Sequence, residues 1–185
     1  MIALGVDPGF ASFGAAVVVV EPGSGYVANV SVFRTEKSAR KLCVNSVEDN
    51  ARRVFELGRS LVDLFAWTDA KHGGVDVVCA ESMSFPRQAS VAGKMCLAWG
   101  MLLRVVQERD IPLVQASPQA IKKALTGNKA ASKEDIAEAV GKRFDGVASE
   151  FDGLPKGQHE HGYDAIAAVL ACEESEVVKA VRGRR

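Results

Sequence analysis

The opening of the chain constrains its fold more than any other stretch. Residues 2–6 are a short apolar run of β character, Pro8-Gly9 interrupts it, and residues 13–20 resume with β-branched side chains. This pattern predicts a β-hairpin. Asp7 lies where the first buried strand ends, a position where ligands bind in layered α/β folds. The alternative is that Asp7 only caps the following turn through its side chain.

A second carboxylate follows a second buried strand. Residues 75–80 are apolar and rich in β formers, and Glu81 comes directly after them. Helical segments flank this run, so we expect a strand in the middle of the sheet, parallel to the first and close to it. Burying an unpaired charge is costly, and two acids at the ends of neighbouring strands therefore favour a functional role over a structural one.

The remaining pattern predicts one α/β domain over residues 1–185. Residues 26–34 alternate between apolar and polar and indicate a third strand, and residues 111–114 indicate a fifth. Apolar side chains at three- and four-residue spacing predict helices over residues 46–65, 89–109 and 163–181, with Val47 in the buried stripe of the first and Val177 in that of the last. The polar, glycine-rich residues 141–159 are expected to be mobile. The expected sheet is mixed and five-stranded, with three antiparallel strands, then two parallel ones, flanked by helices.

His161 and Asp164 are three residues apart at the start of the last predicted helix, and they share one side of its first turn. An Asp there is also an ordinary capping choice, and a lone His is often a surface residue. With Asp7 and Glu81, however, three carboxylates could meet, and these need cations to neutralise them. Oxygen ligands favour Mg²⁺ or Mn²⁺ over zinc. Two such ions about 4 Å apart can cleave a phosphodiester, and without metal at least one carboxylate should have a raised pKa.

The charge of the chain is unevenly distributed. The formal net charge is zero, but residues 82–133 contain eight basic side chains and two acids, a local net charge of plus six. Such a segment would attract a phosphate backbone. The alternative is a solvated face that acids from elsewhere neutralise. The basic residues are Arg87, Lys94, Arg104, Arg109, Lys122, Lys123, Lys129 and Lys133.

The cysteines and apolar runs indicate a soluble, cytoplasmic protein. Cys43, Cys79, Cys96 and Cys172 form no Cys-x-x-Cys pair, and the apolar run at residues 17–20 is far too short to span a membrane. The helix over residues 89–109 could pack inside the molecule or, because Gly93 and Gly100 permit close approach, against a second copy.

Four segments together resemble the RuvC-type Holliday-junction resolvases of the ribonuclease H-like superfamily, over nearly the whole chain. They are Gly5-Val-Asp-Pro-Gly, Ala80-Glu-Ser, Ser117-Pro-Gln-Ala-Ile-Lys-Lys-Ala-Leu-Thr-Gly-Asn and His161-Gly-Tyr-Asp-Ala-Ile-Ala. The resemblance implies a homodimer that binds a four-way DNA junction and makes paired, symmetric nicks with two Mg²⁺ ions per site, for which Mn²⁺ substitutes. It implies that the catalytic and metal-binding residues are Asp7, Glu81, His161 and Asp164.

The same resemblance implies DNA contacts. Phe85 corresponds to the aromatic wedge that stacks in the opened junction, with Ser84 as the other match and a buried Phe85 as the competing interpretation. The expected DNA-binding residues are Phe85, Arg87, Lys94, Lys122, Lys123, Asn128, Lys129 and Lys133.

Two departures point to a divergent or phage-type member of this family. The segment at residues 22–74 is longer than the segment expected in bacterial members, and His161 stands where many members have aspartate. Other functions on the same fold stay open, namely a branch- or flap-directed nuclease, an RNA-processing nuclease or a non-catalytic DNA-binding module. Gly5-Val-Asp-Pro-Gly also resembles the phosphate loop of actin-like ATPases, but the chain has no room for their second domain, so no nucleotide cofactor is expected.

Overall fold

The computed structural model describes residues 1–21, 23–39, 45–84 and 86–184. The strands are β1 (Ile2–Asp7), β2 (Ser12–Glu21), β3 (Ser24–Arg34), β4 (Val77–Glu81) and β5 (Leu113–Ala116). The helices are α1 (Ser46–His72), α2 (Ala89–Glu108), α3 (Pro118–Thr126), α4 (Lys133–Arg143), α5 (His159–Cys172) and α6 (Glu176–Arg182), with short 3₁₀ helices at Val147–Phe151 and Lys156–Gln158.

The strands form one mixed sheet in the order β3-β2-β1-β4-β5. β1, β2 and β3 pair antiparallel, whereas β4 is parallel to both β1 and β5. The predicted fold class, with three antiparallel strands followed by two parallel ones, is therefore confirmed.

Helices cover both faces of the sheet. One buried cluster joins β1, β2 and β4 to α1 and α2, and the other joins the sheet to α3, α4, α5 and α6. Because both faces are covered, the central strands read as continuous apolar runs, and the side chains of residues 15–18 are fully buried. The carboxyl ends of β1 and β4 lie at the same edge of the sheet, between the helices that pack on its two faces.

The first helix differs from the prediction in length and in orientation. α1 continues seven residues past residue 65 to His72, where Gly73 ends it in a left-handed conformation with φ 78°. In its first turns the predicted apolar stripe is wrong, because Val47 is 76% exposed. Asp49 and Arg53 are buried there instead.

The C-terminal third also differs from the prediction. The last helix is two helices, because Ser175 accepts a hydrogen bond from the amide of Val178 and begins α6. Val178 is buried, whereas Val177, which was expected in the core, is 44% exposed. Residues 141–159, which were expected to be mobile, include the two short 3₁₀ helices, and their Phe144 and Phe151 side chains are buried in the core.

Candidate active site

Asp7 and Glu81 lie side by side at the carboxyl edge of the sheet. In the parallel ladder between β1 and β4, Val6 pairs with Ala80, and Asp7 and Glu81 are the next residue of each strand. Both are half-buried, and both line a narrow cleft at the end of the strands. The sequence prediction that these carboxylates are neighbours is confirmed.

Two glycines allow α5 to lie directly on the strands that carry this edge. A Cβ atom at Gly5 would collide with the carbonyl oxygen of Ala165, and one at Gly14 would collide with the carbonyl oxygen of His161. This close approach brings the first turn of α5 to the end of β1. As a result, His161 Nδ1 lies 2.7 Å from Asp7 Oδ2.

Asp164, one turn further along α5, contacts a lysine from the neighbouring helix. Lys133 Nζ, at the start of α4, lies 3.3 Å from Asp164 Oδ2 and 2.9 Å from Glu160 Oε2. Glu160 also approaches His161, with 3.8 Å between its Oε1 and the imidazole Nε2. The site thus contains a chain of charges in which the cationic and acidic groups alternate.

Two carboxylates at this edge, Glu81 and Asp164, have raised pKa values. Burial, and then the negative charges of Asp7 and Asp164, raise the pKa of Glu81 to about 7. Burial also raises the pKa of Asp164, although the ammonium of Lys133 opposes that shift. This confirms the expectation that crowded acids have a raised pKa when no metal is bound.

The contacts of His161 and Lys133 favour the protonated forms of both side chains. The hydrogen bond to Asp7 raises the pKa of His161 against the effect of its burial. Burial lowers the pKa of Lys133, but the contacts with Glu160 and Asp164 outweigh it, so the net shift is upward. The hydrogen bond from Lys133 lowers the pKa of Glu160.

The donor set suits a hard divalent cation, because it offers carboxylate oxygens and one imidazole. Within the described ranges, no three His, Cys, Asp or Glu side chains are already arranged to hold an ion. Instead, the ammonium of Lys133 supplies positive charge next to Asp164. An ion at Asp164 would therefore compete with Lys133 for the same carboxylate oxygen.

The basic segment is only partly neutralised. Arg104 pairs with Glu108, Arg109 pairs with Asp69, and Lys133 pairs with two acids at the site. Five other basic residues of that segment make no ion pair with any described residue: Arg87, Lys94, Lys122, Lys123 and Lys129. The alternative, a face whose charges are neutralised by acids, therefore holds for three of the eight basic residues in this segment.

The predicted DNA-contacting residues occupy different elements. Lys122 and Lys123 lie on α3. The ammonium of Lys122 is close enough to the site to lower the pKa of Glu81. Asn128 Oδ1 accepts a hydrogen bond from the amide of Ala130, so its side chain shapes the turn after α3. Phe85, the predicted wedge, lies outside the described residues.

Sequence reasoning missed three aspects of the site. It assigned Lys133 to DNA binding without predicting its contact with Asp164, and it gave no role to Glu160. The Ser132 capping box indicates the start of α4, but only the packing of α4 on α5 shows where that start lies. Met83 and Trp99 also line the cleft beside Asp7 and Glu81. Helical periodicity placed Trp99 in an apolar stripe, but it gave neither residue a place at the site.

Comparison with known proteins agrees with this geometry. The family model described as crossover junction endodeoxyribonuclease RuvC matches residues 3–170. The chain belongs to the RuvC family. Members of this family are metal-dependent nucleases. One relative, the crossover junction endodeoxyribonuclease RuvC of Pseudothermotoga lettingae, is 28% identical over 140 residues, covering 76% of this chain and 78% of its own.

Solved RuvC structures share the fold. The Thermus thermophilus RuvC structure aligns with a TM-score of 0.68 and 25% identity, over 100% of this chain and 96% of that one. A structure of T. thermophilus RuvC in complex with Holliday junction substrate aligns with a TM-score of 0.69 and 22% identity, over the same shares of the two chains.

Proposed function

We propose that this RuvC-family chain is a metal-dependent endonuclease that resolves four-way DNA junctions by paired, symmetric nicks. The observation that carries the proposal is the convergence of Asp7, Glu81, His161 and Asp164 on one edge of a RuvC-type sheet. The matched family is described as a crossover junction endodeoxyribonuclease, and one relative of this fold was solved with a Holliday junction. The chain acts as one domain in the cytoplasm.

These four residues would hold Mg²⁺, two ions per site, with Mn²⁺ as a substitute. When bound, such ions would supply an activated water and charge stabilisation for the leaving oxygen of the phosphodiester. Asp7 holds the imidazole of His161 in a fixed orientation through the 2.7 Å contact. Lys133 and Lys122 place positive charge near Glu81 and keep it closer to its ionised form.

The basic residues that are free of ion pairs within the described ranges provide the contacts to the DNA backbone. Lys122, Lys123, Asn128 and Lys129 lie on α3 and in the following turn, on one side of the catalytic edge. Arg87 and Lys94 lie before and within the first turns of α2, on the other side. We also assign the wedge role to Phe85, by position in the chain alone.

The dimer forms through the outer face of α2. This helix is long and apolar enough to cross a membrane, but core helices of soluble proteins meet the same criterion. Leu97 and Leu103 are 42% and 48% exposed, and a Cβ added at Gly93 or Gly100 would meet nothing within 4 Å. A second copy related by two-fold symmetry would cover this face and present two active sites to the junction.

The test is cleavage of a synthetic mobile four-way junction with Mg²⁺ or EDTA, beside matched duplex, flap, single-stranded DNA and RNA substrates. Paired nicks at symmetric positions that require the metal are the expected result. Equal or better cutting of flaps or RNA would move the function to another nuclease class. Binding without cleavage of any substrate would favour the non-catalytic module.

A further inference from the structure

A positively charged groove of about 590 Å³ lies next to the active-site cleft, on the side of the turn between β1 and β2. Met95 of α2 lines both cavities, so the groove adjoins the cleft that holds Asp7 and Glu81. The turn contributes Phe10, the segment after β3 contributes Thr35, and α1 contributes Arg53.

Arg53 is a buried cation that the fold holds rigidly. It is 4% exposed, and its guanidinium carbon lies 4.3 Å from the centre of the Phe10 ring. Its Nε donates to Thr35 Oγ1 at 3.0 Å and its Nη2 to the Thr35 carbonyl at 3.2 Å. Thr35 Oγ1 in turn donates to the Phe10 carbonyl at 2.9 Å, which ties the cation to the turn after Asp7.

No carboxylate within the described parts of the chain forms an ion pair with this guanidinium. Its Nη1 likewise makes no hydrogen bond to any described residue. Burial lowers the pKa of Arg53, and the nearby charges of Asp49 and Glu56 offset that effect only in part. An anion in the groove would give the guanidinium a direct partner.

The other charged side chains that line the groove are also mostly positive. Arg34, Lys37 and Lys94 line it together with Arg53, and Glu36 is its one acid among the lining residues, giving four positive charges against one negative. Arg34 and Glu36 are 3.6 Å apart and both are exposed, so this pair contributes little. Lys94 is half-buried and has no ion pair with a described residue.

We propose that this groove binds backbone phosphates of the cleaved DNA strand where the strand leaves the active-site cleft, with Arg53 and Lys94 as the main contacts. This inference rests on the proposed function. α1 and α2 lie on one face of the sheet, whereas α3 and α4 lie on the other. A strand that crosses the catalytic edge would therefore meet Lys122 and Lys123 on one side and the groove on the other.

Lys94→Gln tests the proposal, since it removes a charge without removing the buried support that Arg53 gives to Thr35. Junction affinity is measured without divalent metal at several salt concentrations. The slope of log K against log salt should fall by about one for the variant. The control is Lys179→Gln on α6, whose ammonium faces Glu174 and Glu176 at 3.3 and 3.5 Å, and it should keep the wild-type slope.

A second measurement locates the contact along the DNA. A methylphosphonate, which removes one backbone charge, is placed at successive positions of the cleaved strand. Wild-type binding should weaken about 10-fold at one or two positions next to the scissile phosphate, and Lys94→Gln should be insensitive at those positions. Inorganic phosphate should compete far less well than a DNA strand, and equal competition would assign the groove to free phosphate and overturn the proposal.

The two proposals fail in distinguishable ways. If the wild type cuts junctions but Lys94→Gln keeps both the salt slope and the methylphosphonate profile, the groove is not on the DNA path. This inference is then wrong, together with the backbone contact assigned to Lys94, whereas the proposed junction cleavage stands. If the wild type neither binds nor cuts junctions, the proposed function fails and this inference fails with it.

Discussion

His161 Nδ1 lies 2.7 Å from Asp7 Oδ2, a contact between residues 154 positions apart in the chain. The contact joins the first strand to the fifth helix. It gives the carboxylate a hydrogen-bond partner and fixes the imidazole ring, so that the two side chains act as one unit.

Asp7→Asn should therefore lose cleavage and keep DNA binding. The change preserves size but removes the charge that a metal needs, and we expect at least a ~100-fold loss of junction cleavage. The pKa of His161 should fall, because the hydrogen bond to Asp7 is the main cause of its raised value. Single-turnover cleavage and NMR titration of the histidine measure both effects.

Asp63→Asn is the matched control, because Asp63 lies exposed on α1. It should change neither cleavage nor the titration of His161. An Asp7→Asn variant that still nicked junctions at the wild-type rate with Mg²⁺ would show that the site is assigned wrongly.

The stability of the metal-free protein should fall as pH rises from about 5 to 7. The folded-state pKa of Glu81 is raised from 4.5 to about 7, so the folded protein binds more protons than the unfolded chain in this window. The raised pKa of His161 acts in the same direction above pH 6.5. Glu81→Gln should flatten the pH dependence and stabilise the protein at pH 8 by about 1 kcal/mol, allowing for partial exposure.

Urea unfolding in EDTA across this pH range measures the effect, with Glu174→Gln, an exposed site, as the control. Mg²⁺ should raise the stability of the wild type at pH 8, since a cation neutralises the repelling acids, and raise that of Glu81→Gln much less. A wild-type stability that rises between pH 5 and 7 would contradict the assigned shift.

The sequence is sufficient to predict Asp7 and Glu81, the two site residues that lie at strand ends. Strand periodicity identifies where β1 and β4 end, and the parallel arrangement requires their ends to meet, so Asp7 and Glu81 follow from pattern alone. The approach of α5 depends on the missing Cβ atoms of Gly5 and Gly14. A glycine can occur in a strand for several reasons, such as a bulge or the close approach of another backbone, and only the packed fold shows which reason applies.

Charged residues were the main source of error. Apolar periodicity placed Val47 in the core, but its turn of α1 instead buries Asp49 and faces the polar segment after β3, where Asp49 accepts hydrogen bonds from Ser38. Arg53 is buried for the same reason, since its partners are Thr35 and Phe10. Such contacts join segments distant in sequence, and no local pattern reports them.

Gly14→Ala should destabilise the protein and disrupt the site, because the new methyl group would collide with the carbonyl oxygen of His161. The backbone of α5 cannot yield as a flexible side chain can, and we expect a loss of about 1–3 kcal/mol or more. Cleavage per folded molecule should also fall, since His161 would move away from Asp7.

Gly141→Ala is the comparison, because Gly141 lies within α4 and a Cβ there would meet nothing within 4 Å. That variant should gain about 0.5–1 kcal/mol, as alanine favours a helix. Thermal unfolding of both variants decides the matter. Equal stability of the two variants would mean that α5 does not rest on β2 as described.

Leu97→Asp should convert the dimer to a monomer, because it places a charge in the apolar outer face of α2. Sedimentation velocity measures the change. Phe55→Asp is a demanding control, since Phe55 on α1 is 73% exposed and lies outside the proposed interface. It should remain dimeric, and a monomeric Phe55→Asp with a dimeric Leu97→Asp would move the interface to α1.

Lys133→Gln should shift the pH dependence of cleavage. The ammonium of Lys133 lowers the pKa of Glu81 and also opposes the rise in that of Asp164. Its removal raises both values, so the metal-binding carboxylates ionise at higher pH. The acid limb of the pH–rate profile should move to higher pH, and more Mg²⁺ should be needed near pH 7.

Two results would separate this role from a simple phosphate contact. Loss of a phosphate contact weakens junction binding equally at every pH and leaves the midpoint of the acid limb unchanged. Loss of a neighbouring charge moves the midpoint, and higher pH restores much of the rate. Lys142→Gln, whose ammonium pairs with Glu138 at 2.6 Å on the outer side of α4, should retain the wild-type midpoint. An unmoved midpoint in Lys133→Gln would leave Lys133 with DNA binding alone.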